Sequence, residues 1–340
     1  MRALQLVDKQ RLALRELALP ARPAPGHARV RMAFMTLNHL DLFGYRGMAF
    51  ARRTLPVTVG AEGVGFVEDV AQGADRDVIG QAVAIYPSVF CGRCPACLAG
   101  RENLCADSPG VMGFHCDGVA AEYVDVPPRM LVPVPQGVPM EMAACAPVTF
   151  ATVHHMLIDN ARLMAGETLL VQAGGSGIGS LAIRLARHLG ATVFTTVGRA
   201  DKVERARALG AEYVINYREE RFLRVIREQT ARRGVDVVFE HVGADTWEQS
   251  LLSLARGGRL VICGSTTGVE APTNLMHVFN QQIHIHGSFG APLSGLRDSL
   301  ALIEQGVLPV IDSVMPVAGF ESGLQRLRER DVFGKIVLQF

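Results

Sequence analysis

Four cysteines fall within one short stretch, Cys91-Gly-Arg-Cys94-Pro-Ala-Cys97-Leu-Ala-Gly-Arg-Glu-Asn-Leu-Cys105. Two successive CxxC steps let thiolates converge on one ion, and the fourth sulfur arrives after a short excursion. Four sulfurs in tetrahedral reach make a structural zinc site with no open position for water. A redox CxxC pair or local disulfides would use the same residues, but both suit a clustered quartet in a reducing compartment less well. Cys116, Cys145 and Cys263 lack this clustering and read as small, buried, apolar residues.

A second stretch carries a different chemistry. Gly174-Gly175-Ser176-Gly177-Ile178-Gly179 follows an apolar run, Thr168 to Ala173, of strand composition. Beyond the turn, Ile178, Leu181, Ala182, Leu185, Ala186 and Leu189 recur at helical spacing. Gly190 ends the helix, and Ala191 to Val197 is a second β-rich run. Strand, glycine turn, helix and strand form the first half of a dinucleotide-binding unit. A pyrophosphate must approach the backbone closely and lie at a helix N-terminus, where free N–H groups point at it. Ser176, Gly177 and Ile178 are therefore candidate cofactor contacts, although Ser176 replaces the middle glycine of GxGxxG. A purely structural glycine turn is the competing reading, and the strand–helix alternation that follows disfavours it.

The end of the second strand bears on which dinucleotide binds. An NAD site usually presents an acid there to the ribose 2′-hydroxyl. This chain reads Thr195-Thr-Val-Gly198-Arg199-Ala-Asp-Lys202, so Val197 or Gly198 takes the acid's place. Arg199 and Lys202 suit an added 2′-phosphate. Asp201 is expected to face solvent. The expectation is NADP(H).

These stretches need a scaffold. The chain has 340 residues, enough for about two domains. Hydrophobic content of 49% and charged content of 20% fit a globular enzyme, and a net charge of +1 gives no field that would favour nucleic acid. No apolar run is long enough to span a bilayer, and the charge-broken N-terminus lacks a signal-peptide core, so cytoplasmic placement is expected. Residues 1–147 are β-rich and punctuated by glycine and proline; Ala28 to Ala33, Gly65 to Val70 and Ala82 to Tyr86 read as strands. From Val148 the texture changes to alternating strands and helices. Asp236 to Glu240, Arg259 to Cys263 and Ile283 to Ser288 are the further strands, with a helix over Thr246 to Ala255. This predicts an α/β fold: a doubly wound parallel sheet beside a β-rich domain. A helix, Leu296 to Gln305, and a strand, Lys335 to Phe340, close the chain.

The cysteine loop, the preceding Gly60-Ala-Glu-Gly-Val-Gly65 and the nucleotide unit occur together in this order. The combination resembles the medium-chain dehydrogenase/reductase superfamily, which includes zinc alcohol dehydrogenases and quinone oxidoreductases. The resemblance implies a GroES-like catalytic domain over 1–147, completed by 290–340, with a Rossmann domain over 148–289 and an active-site cleft where they meet. It also implies that a lysine after the second Rossmann strand and a tyrosine after the next, Lys202 and Tyr217 here, share the 2′-phosphate. By the same resemblance Asn38, His39 and Thr149 approach the cofactor, and Val242, Gly264, Ser265 and Phe289 lie along its nicotinamide half.

The departures from the family pattern are informative. Its catalytic zinc is held by a cysteine, a histidine of a GHE motif, and a second cysteine or acid. Here the first position is Asn38, the motif reads Gly60-Ala61-Glu62, and the third falls near Val148 or Thr149. The family's nearby hydroxyl and relay histidine are Leu40 and Phe43. Together these five losses argue that no zinc Lewis acid polarises a carbonyl here. His39, His154 and His155 are the candidate replacement ligands, and Glu62 reads as a framework carboxylate. What remains resembles an NADPH-dependent reductase of quinones or activated C=C bonds, acting on a small electrophilic substrate. Tyr45 is the candidate proton donor and Asn38 a candidate catalytic residue. The alternatives are an alcohol or carbonyl dehydrogenase with a remodelled site, and a nucleotide-binding scaffold without catalysis. The edge strand Gln282 to Phe289 is where the family joins two sheets, so a homodimer, or a tetramer built from it, is expected.

Overall fold

The computed structural model describes residues 1–47 and 53–340, and the chain forms two compact units. The first comprises residues 1–151 and 291–340, the second residues 152–290.

The second unit is built on a six-stranded parallel sheet in the spatial order Tyr213–Asn216, Thr192–Val197, Thr168–Val171, Val235–Glu240, Leu254–Ile262, His284–Gly287. The strand order reverses between Thr168–Val171 and Val235–Glu240. That is where doubly wound sheets open a crevice at the carboxyl ends of their strands. These strands read as continuous apolar runs because helices cover both faces. Leu170, Phe194, Ile215, Val238 and Leu260 are essentially inaccessible, and Phe222 and Ile226 of the helix Phe222–Gln229 pack on them. The structure lengthens one expected strand, since Leu254–Ile262 begins before Arg259 with a register shift opposite Val235/Val237. The helix Ala244–Leu252 accordingly ends earlier than its apolar pattern suggests.

In the first unit, and among the described residues, the main sheet runs in the order Leu131–Pro133, Ala82–Ile85, Glu62–Val70, Ala28–Thr36, Lys335–Gln339, Ile311–Pro316, with Tyr123–Val126 also paired to Ala28–Thr36. Two registers in it align residues from distant parts of the chain. Thr36 pairs with Glu62 on one side, and Val337 pairs with Thr36 on the other. The chain's last strand is therefore aligned so that its first residue, Lys335, lies level with the residues just after Thr36.

Candidate functional site

The glycine turn is a place where the backbone must come close to something. An ideal Cβ on Gly174 would lie 2.2 Å from Thr195 Oγ1, and one on Gly179 would lie 2.3 Å from the Ala173 carbonyl oxygen. The helix Gly177–His188 starts directly after it, capped by Ser176, whose Oγ accepts the Gly179 N–H at 2.9 Å. The serine that replaces the middle glycine thus has a structural job, taking one of the free N–H groups at that terminus. The remaining N–H groups and the close backbone approach fit a pyrophosphate.

At the end of the strand Thr192–Val197, the structure brings the expected phosphate-binding residues together. Tyr217 donates its backbone N–H to the Val197 oxygen at 3.1 Å, and its hydroxyl lies over Gly198, 2.2 Å from where a Cβ would be. The Lys202 N–H bonds the Arg199 oxygen at 3.1 Å. Asp201 is exposed, as expected, and there it pairs with Arg199, at 2.9 Å from Nε and 3.0 Å from Nη2. The pairing holds the Asp201 carboxyl below its ordinary range.

Val242, Gly264 and Ser265 also converge. The Thr267 N–H and Oγ1 bond the Val242 oxygen at 2.9 and 2.8 Å, and an ideal Cβ on Gly243 would lie 2.8 Å from Ser265 Cα. Glu240, at the strand-order reversal, holds this loop from below: its Oε1 accepts the Val242 N–H at 2.7 Å and the Gly243 N–H at 3.2 Å. Phe289 lies just beyond the edge strand and is largely exposed.

In the first unit, the positions at which the sequence departs from the family's metal site collect around Glu62. This side chain is fully buried. Its Oε1 accepts the backbone N–H groups of Val148 and Thr149 at 2.7 and 2.6 Å. Those donors are free because the segment Ala146–Phe150 is a π-helical turn, with the Phe150 N–H reaching back to the Cys145 oxygen at 2.9 Å. Its Oε2 accepts from Thr36 Oγ1 (2.5 Å), Thr149 Oγ1 (2.9 Å), Asn38 Nδ2 (3.0 Å) and Lys335 Nζ (3.1 Å). The Lys335 ammonium also donates to the Leu37 oxygen and to Asn38 Oδ1, each at 2.8 Å. Burial alone raises the Glu62 pKa, but the Lys335 charge and the hydrogen bonds outweigh it and hold the carboxyl below its usual range. Asp41 lies beside this cluster and accepts the Asn38 N–H at 2.8 Å; burial pushes its pKa up to about 7.

Asn38 and Thr149 therefore spend their side chains inside this network. The Asn38 amide uses both ends, and Thr149, which is buried, gives its hydroxyl to Glu62. Both side chains are engaged in this network. Tyr45 lies outside this network. Its hydroxyl donates to Glu321 at 2.8 Å, a bond that raises its pKa and leaves a poorer proton donor. His39 is exposed beside Phe43, and His155 pairs with Asp159 at 2.7 Å. Among the described residues, none of His39, His154 and His155 enters a group of metal-binding side chains. Lys335 is the residue that sequence reasoning missed. Its signal was a charge opening the otherwise apolar run Lys335-Ile-Val-Leu338, which is buried throughout.

A dication at this position would need anionic or imidazole donors, and it would meet an ammonium already held by three acceptors. The residues do not fit a catalytic zinc. The cysteine quartet does fit a structural one. Its four Sγ atoms lie within 4.8 Å of one another, with Cys94–Cys97 at 3.5 Å and both Cys91–Cys97 and Cys94–Cys105 at 3.9 Å. Backbone N–H groups of Arg93 and Cys94 point at Cys91 Sγ (3.4 and 3.3 Å), which stabilises thiolate charge. Backbone N–H groups from Cys97 and Ala106 pull the Cys94 thiol down to about 6. A tetrahedral tetrathiolate is a zinc donor set closed to substrate.

Comparison with known proteins agrees with this geometry. Residues 24–136 match the family model for the alcohol dehydrogenase GroES-like domain, and residues 177–305 match that for zinc-binding dehydrogenases. A quinone oxidoreductase of Pseudomonas aeruginosa is 30% identical over 297 residues, 84% of this chain and 82% of that protein. An alcohol dehydrogenase of Geobacillus stearothermophilus is 28% identical over 336 residues, 97% of each chain. A solved structure described as an NAD-dependent alcohol dehydrogenase superposes with a TM-score of 0.94 at 38% identity, covering 100% of both chains.

Proposed function

The chain belongs to the medium-chain dehydrogenase/reductase superfamily, and from that premise we propose that it is an NADPH-dependent reductase of quinones or activated C=C bonds that works without a catalytic zinc. Oxidoreductase chemistry on a small molecule, a nicotinamide cofactor and a structural zinc follow from the family and the cysteine quartet. The finer reading rests on one observation: where the family's metal chemistry would need a Lewis acid, the chain has Asn38, Ala61 and Thr149 around a Lys335–Glu62 pair.

Without a metal to polarise it, an isolated carbonyl is a poor acceptor. A conjugated double bond is a better one, because charge added at the β-carbon is delocalised onto an oxygen. The nicotinamide, when bound, supplies the hydride. The residues of the chain bind and orient the cofactor through the glycine turn, the loop held by Glu240, and Arg199, Lys202 and Tyr217. On the first unit Leu40, Phe43 and Val148 replace polar groups by an apolar wall that excludes water. Cofactor choice is part of the proposal. Arg199, Lys202 and Tyr217 support NADPH, and the Arg199–Asp201 pair makes the preference smaller than the two cations alone would give.

The assembly we infer is a homodimer. The strand His284–Gly287 pairs on one side only among the described residues, and the preceding helix leaves Leu275, Met276 and Phe279 exposed. NADPH oxidation with a panel of quinones, enones, enoyl thioesters and aldehydes tests the reaction. Turnover of quinones or enones with none of aldehydes is expected. Aldehyde reduction alone would favour the alcohol-dehydrogenase reading, and no turnover at all the scaffold.

A further inference from the structure

One histidine stands at the carboxyl ends of the two central strands of the parallel sheet. His241 directly follows the strand Val235–Glu240, where the strand order reverses. Its Nε2 donates to the Gln172 backbone oxygen at 2.8 Å, just past the neighbouring strand Thr168–Val171. Its ring meets Phe239 edge-on, with centroids 5.8 Å apart. Gly264 lies on another side: an ideal Cβ there would be 3.2 Å from the His241 oxygen and 3.6 Å from its Cβ.

These contacts fix the tautomer. A carbonyl oxygen only accepts, so Nε2 carries the hydrogen and Nδ1 a lone pair. Burial lowers the His241 pKa, although the Glu240 charge and the bond to Gln172 oppose this, and the net lowering keeps the ring neutral at pH 7. The residue is 8% exposed, and Nδ1 has no hydrogen-bond partner among the described residues. Unlike Arg53 Nη1, which is also unpartnered, Nδ1 retains accessible surface. A nearly buried acceptor with no protein donor ordinarily meets water or a ligand.

We propose that His241 is a cofactor-binding residue whose Nδ1 accepts a hydrogen bond from the nicotinamide half of the bound dinucleotide, from a ribose hydroxyl or the carboxamide N–H. The inference rests on the nicotinamide cofactor common to the family and not on the NADPH or reductase reading. The sheet gives the dinucleotide a direction. Its pyrophosphate belongs at the glycine turn after Thr168–Val171. Its adenosine half runs toward the end of Thr192–Val197, where Tyr217 lies over Gly198. The other half then passes over the end of Val235–Glu240, on the opposite side of Thr168–Val171, and meets His241 there. A lone pair is no partner for a phosphate. The donors that this half of the cofactor offers are its ribose hydroxyls and its carboxamide.

The test is a ladder of ligands titrated calorimetrically into the zinc-containing protein: ADP, ADP-ribose, NAD⁺ and NADP⁺. ADP lacks the nicotinamide half, ADP-ribose adds the second ribose, and the dinucleotides add the carboxamide. His241→Phe keeps a ring against Phe239 and removes the acceptor. His241→Asn keeps an acceptor near the place of Nδ1 and loses the ring. Wild type and both variants should bind ADP alike. His241→Phe should bind NAD⁺ and NADP⁺ roughly three- to tenfold more weakly than wild type, the worth of one neutral hydrogen bond. His241→Asn should lose less. A loss that begins at ADP-ribose makes a ribose hydroxyl the donor, and one that begins at the dinucleotides makes it the carboxamide. A role in packing alone would reverse the order, sparing His241→Phe and harming His241→Asn. That order overturns the proposal, and so do unchanged dinucleotide affinities or an equal loss for ADP in His241→Phe. If His241→Phe does not fold, nitrogen NMR of the wild-type imidazoles decides. The His241 Nδ1 resonance should be that of an unprotonated nitrogen and move upfield when NAD⁺ or NADP⁺ binds; a resonance that stays in place overturns the proposal. A missing NADPH preference would sink the cofactor choice alone, because NAD⁺ reads the same contact.

Discussion

Lys335 Nζ lies 3.1 Å from Glu62 Oε2, with the two side chains 4% and 0% exposed. The partners are 273 residues apart in sequence. The pairing follows from the register of three strands, because Thr36 aligns with Glu62 on one side and with Val337 on the other. A buried ion pair is not in itself a large source of stability, since desolvation offsets attraction. It ties the first and last parts of the chain together at Glu62: the ammonium and the carboxylate satisfy each other's charge in a buried place.

Removing one partner leaves the other charged and buried. Lys335→Met should destabilise the protein by about 3–5 kcal/mol, and Glu62→Gln by a comparable amount. The double variant Lys335→Met/Glu62→Gln should cost clearly less than the sum. Urea unfolding of the three variants gives the coupling, and additive losses would mean the two groups do not interact as described.

Asp41 gives a pH dependence with a definite sign. Burial raises its pKa from 3.8 to about 7, so the folded state holds a proton that the unfolded state releases. Its stabilising contribution is present in full below the unfolded value and is lost as pH rises toward about 7. Glu62, whose pKa is lowered, acts in the opposite sense, contributing above its unfolded value and losing that as the solution is acidified. Asp41→Asn should therefore gain stability relative to wild type as pH is raised from about 4 to about 7. Denaturant midpoints at several pH values check it. A difference that is flat, or that shrinks with pH, contradicts the assignment.

Cofactor discrimination should centre on Arg199. NADPH should bind on the order of tenfold tighter than NADH. Arg199→Ala should weaken NADPH much more than NADH, while Asp201→Asn, which frees Arg199 from its carboxylate, should sharpen the preference. Gly198→Asp is a less clean switch than the sequence suggests, because its side chain would collide with the Tyr217 hydroxyl. Dissociation constants for both cofactors decide; equal loss for both in Arg199→Ala removes this pocket from consideration.

Tyr45→Phe should leave the reduction rate within about twofold of wild type, because the hydroxyl is spent on Glu321 and is a weaker acid than free tyrosine. A loss of a hundredfold or more in kcat with unchanged KM would restore it as the proton donor.

Much of the fold was legible because it rests on local patterns. The parallel strands are short apolar runs separated by helical periodicity, and the cysteine quartet is compact in sequence. The five departures from the family's metal site were legible one by one, and the structure gathers them. The Lys335–Glu62 pair was not legible. Lys335 opens the last strand and reaches Glu62 only through sheet register, which sequence periodicity does not fix. Asp201 is exposed as expected, but its pairing with Arg199 was not legible from spacing alone.

The central claim is that the chain keeps the family's structural zinc and has replaced the catalytic one. The zinc content of purified, active protein measures this directly, alongside Cys94→Ser. The account predicts about one zinc per chain in wild type and close to none in Cys94→Ser, since the quartet is the only closed tetrathiolate among the described residues. Two tightly bound zincs per chain, or one that persists in Cys94→Ser, would contradict it.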